Sequence, residues 1–158
     1  MTDIIKAAGG VVIRGKQILF IKKNGRWEFP KGRLKKGANR KKTAIREISE
    51  ETGIKKKDLN IIKPLIPTHH HNKINGRTVV KETFWFLIQY SGDSKMKLVP
   101  EKKEGITKCK WFTLDELVLT LKATRPLIHY LIGFVLNDPR YKNYRKNKKK
   151  IILLLSQF

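Results

Sequence analysis

The stretch "REISEETGI", residues 46–54, gathers Glu47, Glu50 and Glu51 on what reads as one turn of helix. Successive helical residues turn by about 100°, so the three carboxylates fall within an arc of about 100°. Ile45 and Ile48 lie on a different face, which lets the element bury its isoleucines while the glutamates point outward together. Like charges at this spacing repel, and each raises its neighbours' pKa unless a cation stands among them. Oxygen-only ligands on a rigid element suit Mg²⁺ or Mn²⁺, which keep several waters and bind substrate phosphates as well. Charge spacing alone favours a plainer reading, a solvated helix face laced by Arg46–Glu50 and Glu51–Lys55 pairs at i,i+4.

The elements that would position these groups follow from local pattern. A helix is expected from about Asn39 to Thr52, with Gly53 where a C-cap glycine belongs. Ahead of it, "NGRWEFPKGRLKKGA" carries Gly25, Pro30, Gly32 and Gly37 and reads as strand end and loop. Residues 8–22 read as a hairpin around "RGKQ", while "LNIIKPLIPTHHH" and "TVVKETFWFLIQY" read as strands joined by "NKINGR". "ITKCKWF" is a further strand, and Thr113 with Glu116 forms a capping-box signature for a helix starting near Leu114. Thr124 is the expected cap of another helix through "RPLIHYLIGFVL", with Pro126 in its first turn. The order β-β-loop-α-β-β-β-α-α predicts an α/β (α+β) fold, a mixed sheet flanked by helices.

The surroundings of the acidic turn reverse the plainer reading. "GRLKKGANRKKTAIREISEETGI", residues 32–54, resembles the Nudix box, G-x5-E-x7-R-E-U-x-E-E-x-G-U, where U is a bulky aliphatic residue. Gly32, Arg46, Glu47, Ile48, Glu50, Glu51, Gly53 and Ile54 match in register, and Ala38 stands in place of the first glutamate. "AAGGVVI", "WEFPKG" and "KWFTLDEL" also resemble the family, so the likeness covers roughly residues 7–122. It implies the Nudix fold, an α/β/α sandwich with a mixed sheet. It also implies metal-dependent hydrolysis of a nucleoside diphosphate linked to a further group X, with Mg²⁺ or Mn²⁺ as cofactor. Glu47, Glu50 and Glu51 would be the metal ligands, joined by the backbone carbonyl of Gly32. Arg46 would orient a carboxylate, its i,i+4 relation to Glu50 making that possible. The family's first glutamate supports the loop and helix more than the metals, so Ala38 implies weakened geometry and reduced but real activity.

Further candidates cluster around this site. Lys31, just before the box glycine, and Lys81, on the strand "VVKETFWF", could each hold phosphate oxygens as point charges. Lys81 and "WEFPKG" resemble relatives that cut dinucleoside polyphosphates, which favours a substrate such as diadenosine tetraphosphate; Trp27 is read as loop packing. In "THHHNK", successive histidines alternate faces and cannot all meet one metal. Either His69 or His71 contacts phosphate or adenine, or all three line a polar strand end. Glu104 falls where many family members place a further catalytic or metal-binding carboxylate, with Glu101 as the competing assignment. Glu47, Glu50, Arg46 and Glu104 thus form the candidate catalytic set.

With 158 residues the chain suits one compact domain, read as residues 1–137, followed by a basic tail, 138–158, that ends in a short apolar run. Thirteen acidic residues stand against thirty-six Lys plus Arg, giving a formal charge of +23. Lysine dominates and is scattered along the chain, which fits compositional bias better than a dedicated nucleic-acid surface, though either attracts phosphate-rich small molecules. The single Cys109 excludes an intramolecular disulfide, and the start lacks a signal-peptide pattern. No segment reaches the roughly 20 apolar residues that span a bilayer, so a cytoplasmic protein without membrane partners is expected. The alternative to an enzyme is a weak or inactive member of the same scaffold that binds nucleotide or RNA. Oligomeric state is not legible.

Overall fold

Period-two alternation builds the centre of the molecule. The computed structural model describes residues 2–139. In β1 (Asp3–Arg14), Val11 and Ile13 join one apolar cluster while Ala8 and Val12 join another. β7 (Arg77–Tyr90) divides in the same way, with Trp85 and Leu87 on one side and Phe86 and Ile88 on the other. The two strands run parallel, from Asp3 opposite Val79 to Ile13 opposite Gln89. A central pair buried on both faces must be covered on both faces.

α1 (Arg40–Thr52) covers one face through Ala44 and Ile48. α2 (Leu114–Thr120) and α3 (Pro126–Leu136) cover the other through Leu117, Ile128, Leu131 and Val135. This is the α/β/α sandwich expected from the sequence. β2 (Gln17–Lys23) pairs antiparallel with β1, and β8 (Ile106–Thr113) with β2. At Gly10, an added Cβ would lie 2.5 Å from Ile88 Cδ1 and 2.9 Å from Ile48 Cδ1. Close approach of α1 to β1 therefore depends on that missing side chain.

The ends of α1 are set locally. Asn39 accepts a hydrogen bond from the Lys42 N–H at 3.0 Å, and Gly53, at φ 76°, closes the helix with its N–H on the Ser49 carbonyl. The Thr113–Glu116 capping box is present. Thr124, expected to cap α3, instead donates its hydroxyl to the Leu121 carbonyl at 2.9 Å, and Arg125 is the N-cap.

Residues 59–71 differ from the single strand expected. β5 (Leu59–Pro64) and β6 (Thr68–Ile74) both pair with β7, β5 along Phe86–Tyr90 and β6 along Arg77–Thr83. Pro64 and Pro67 have no N–H to continue a ladder. Between them the Leu65 N–H reaches the Trp85 carbonyl at 2.8 Å. The loop expected after β2 contains two short strands, β3 (Arg26–Glu28) against β2 and β4 (Lys31–Arg33) against β1. Asp138 binds Lys63 at 2.8 Å, and the basic and apolar runs of the tail, 140–158, lie outside the described residues. Among the described residues no helix is long and apolar enough to cross a membrane.

Candidate active site

β4 and the second half of α1 form one wall of a cleft of about 930 Å³ that holds Glu47, Glu50, Glu51, Arg46 and Gly32. The glutamates do not point outward together as expected. Side-chain exposure is 54% at Glu50, 14% at Glu47 and 4% at Glu51. Lys23 at the end of β2 and Lys31 at the start of β4 close over the Glu51 carboxylate, which is carried inside. There it accepts a hydrogen bond from the Lys31 N–H at 3.0 Å and faces Lys23 Nζ at 3.4 Å, rather than pairing with Lys55. Burial pushes the Glu51 carboxyl up to about 7, against the pull of Lys23 and Lys31.

Glu47 is raised above its ordinary value, first by burial, with Glu50 and Glu104 adding to the rise and Arg46 opposing it. Arg46 Nη2 lies 2.6 Å from Glu47, and Nη1 lies 3.8 Å from Glu50. The arginine therefore orients two carboxylates, Glu47 more closely than the expected Glu50. A Cβ built at Gly32 would overlap the Glu47 carboxylate, so this glycine lets β4 backbone lie against the acid.

Among the described residues no three His, Cys, Asp or Glu side chains converge as a metal-holding group. The carboxylates turn instead to the chain's own cations, Glu47 to Arg46 and Glu51 to Lys23. The donor set nevertheless fits a hard divalent cation: several carboxylates in one cleft, a backbone carbonyl at Gly32, and no sulfur among the lining residues. Cys109 does not line the cleft; its Sγ lies 3.5 Å from the Glu51 carbonyl, and burial and then Glu51 push the thiol up to about 12, so it stays protonated.

The competing carboxylates before β8 have separate roles. Glu101 caps the 3₁₀ turn Lys102–Glu104, accepting from the Lys103 N–H at 3.2 Å, and its own N–H reaches the Glu51 carbonyl at 3.3 Å. Glu104 lies 3.6 Å from Lys23 Nζ and thus shares that lysine with Glu51. Both glutamates line the cleft.

The cleft also holds a cationic group, Lys31 of β4, whose Nζ lies 2.7 Å from Glu28, with Lys81 and Arg125, and His70 lies among them. Burial lowers the Lys81 pKa, and Lys31 adds to the effect. His70 is lowered mainly by burial and then by Lys81. Among the described residues, buried His70 Nδ1 and Arg125 Nε have no hydrogen-bond partner. Of the histidines, the structure brings His70 to the cleft. His69 and His71 do not line it, and exposed His69 lies 3.3 Å from Glu82. The register explains the parity, since His70 sits opposite Lys81 and His69 opposite Glu82. Trp27 packs edge-on against Phe112, ring centroids 4.8 Å apart, outside the cleft. Lys23, Glu28, His70 and Arg125 are among the cleft residues that sequence reading missed.

The NUDIX domain family matches residues 4–131 of the chain. An RNA pyrophosphohydrolase of Erythrobacter litoralis is 28% identical over 102 residues, 59% of this chain and 62% of that protein. A second, from Sphingopyxis alaskensis, is 27% identical over 99 residues, 58% of this chain and 63% of that one. The chain thus covers less than two thirds of each of these relatives. A C. elegans Ap4A hydrolase, solved as a binary complex, aligns over 98% of this chain and 99% of its own, with TM-score 0.57 and 20% identity. That likeness is one of fold.

Proposed function

Because the chain belongs to the NUDIX domain family, we propose that it hydrolyses a pyrophosphate bond in a nucleoside diphosphate linked to a further group. The observation that carries this reading is one cleft that holds both a group of carboxylates, Glu47, Glu50 and Glu51, and a group of cations, Lys31, Lys81 and Arg125. Glu47, Glu50, Glu51 and the Gly32 carbonyl would hold Mg²⁺ or Mn²⁺, which supplies charge neutralisation and polarisation of phosphate oxygens. Lys31, Lys81, His70 and Arg125 share the cleft with them and suit the phosphates that are not being cut. The oxygen of water bonds to phosphorus as the bridging P–O bond breaks. Glu47, its carboxylate fixed by Arg46 at 2.6 Å, would take the proton. Glu104 assists through Lys23, the lysine it shares with Glu51.

Two substrate classes have support. Lys81 on the cleft wall and the fold shared with an Ap4A hydrolase favour dinucleoside polyphosphates such as diadenosine tetraphosphate. The curated RNA pyrophosphohydrolases favour a 5′-phosphorylated RNA end. A binder without turnover is the rival reading, favoured by Ala38. Retaining mutually repelling carboxylates in a chain of charge +23 speaks for the enzyme, since a polyanion binder gains by losing them. The single cysteine is consistent with the cytoplasm as the proposed location.

The test is incubation of the protein and Glu47→Gln with a nucleotide panel and Mg²⁺ or Mn²⁺, products being resolved by chromatography. Metal-dependent turnover that disappears in Glu47→Gln is expected. No turnover across the panel, with nucleotide or RNA still bound, would establish the binder.

A further inference from the structure

A second cleft, of about 450 Å³, lies beside the first and shares Arg33 with it. Its cations are Lys6, Arg33, Lys35, Lys36 and Arg40, and no carboxylate lines it. The catalytic cleft, by contrast, mixes acids with its cations. Among the described residues Arg33, Lys35, Lys36 and Arg40 form no ion pair, and Lys6 reaches Glu82 only at 4.0 Å. Scattered lysines are this chain's ordinary condition; a concave run of unpaired cations without an acid is not.

The cleft is a product of local structure. β4 brings Arg33 opposite Ala7 of β1, and the Leu34 N–H reaches the Lys6 carbonyl at 2.9 Å. The chain then turns, the Ala38 N–H meeting the Lys35 carbonyl at 3.0 Å, which leaves Lys35 and Lys36 exposed at the tip. The Arg40 guanidinium lies 3.6 Å from the centroid of the Phe84 ring, which holds it flat beside the cleft. Residues 32–42 contain no acid, and Ala38 occupies the one position where the box pattern has one. Ile4, 61% exposed, adds an apolar rim.

We propose that this second cleft binds the phosphodiester backbone of single-stranded RNA whose 5′-polyphosphate end occupies the catalytic cleft. The proposal rests on the pyrophosphohydrolase reading and names its substrate class. An anion held across both clefts must continue covalently from the phosphates in the first. A 5′-polyphosphorylated oligoribonucleotide has that continuity, which an acidic protein or a lipid surface lacks. Binding to phosphate is sequence-independent and releases counterions, so its signature is dependence on salt.

The experiment uses the full chain and Lys35→Glu/Lys36→Glu, both residues outside the catalytic cleft. Binding of a 3′-fluorescein 5′-triphosphorylated RNA of about 12 nucleotides is followed by anisotropy in EDTA across a salt series. Hydrolysis of diadenosine tetraphosphate is measured in parallel. The double variant should bind the RNA at least tenfold more weakly. Its log K against log salt slope should be shallower by about 1.4, at about 0.7 for each phosphate that is no longer neutralised. It should cleave the small substrate within twofold of the parent. Unchanged RNA affinity, equal losses on both substrates, or unchanged RNA binding with abolished retention on phosphatidylserine vesicles would overturn the proposal. Failure of the parent to cleave any phosphoanhydride would count against the hydrolase reading, while the anisotropy result would still decide the RNA site.

Discussion

Lys23 Nζ stands 3.4 Å from Glu51 Oε1, so a β2 lysine neutralises a carboxylate that α1 has carried into the protein. Burial still dominates, and the carboxyl titrates at about 7 against an ordinary 4.5. The folded value exceeds the unfolded one. Protonated Glu51 therefore contributes stability that is complete below the unfolded pKa and lost as pH rises through the folded one. Metal-free protein should lose up to about 3 kcal/mol between about pH 5 and pH 8. Urea unfolding in EDTA measures this. Glu51→Gln should flatten the curve, and Mn²⁺ should restore the parent, but not the variant, at about pH 8.

Glu47 and Glu104 should separate in mutagenesis. Glu47→Gln removes the proposed base and should lower kcat/KM by about 10²–10⁴. Glu104 is 63% exposed and is proposed to act through Lys23, so Glu104→Gln should cost about tenfold or less. Steady-state rates under saturating Mg²⁺ decide between them; equal losses would place Glu104 among the catalytic groups.

Arg125 lines the cleft, and among the described residues its buried Nε has no hydrogen-bond partner. Arg125→Ala should raise KM for a polyphosphate substrate by about ten- to hundredfold, as expected for one charged hydrogen bond of about 1.5–3 kcal/mol. A fall in kcat at unchanged KM would instead assign Arg125 to the reacting phosphorus.

Gly32→Ala is the conservative test of the backbone approach. Its methyl would overlap the Glu47 carboxylate and displace it from Arg46. Mn²⁺ affinity, read by titration calorimetry, should fall at least tenfold while the thermal midpoint in EDTA shifts little.

Ala38→Glu should move two substrates in opposite directions. A glutamate there restores the box acid and should raise kcat/KM on diadenosine tetraphosphate. It also places a carboxylate in the second cleft, beside Lys35, Lys36 and Arg40, and should weaken RNA binding. Parallel change on both substrates would break the link between Ala38 and the basic cleft.

What the sequence revealed was local in origin. The caps at Asn39, Gly53 and Thr113, and the alternation of Trp85 with Phe86, depend on near neighbours and were readable. The burial of Glu51 was not, because helical spacing puts it beside Glu50 and says nothing of the strands above. His70 was missed for want of the register that sets it opposite Lys81. Arg125 enters from the start of α3, with no local signal that its side chain reaches a site built around residues 28–51.

The acids and the cations of the cleft come largely from different stretches of chain, Glu47, Glu50 and Glu51 from α1 and Lys31, Lys81 and Arg125 from β4, β7 and the residue before α3. A chimera that exchanges residues 121–139 for the same segment of a relative would transplant Arg125 and leave the acidic helix untouched. If the proposed roles hold, such a chimera should change KM among substrates more than kcat, which would make substrate choice and bond cleavage partly separable units of inheritance in this scaffold.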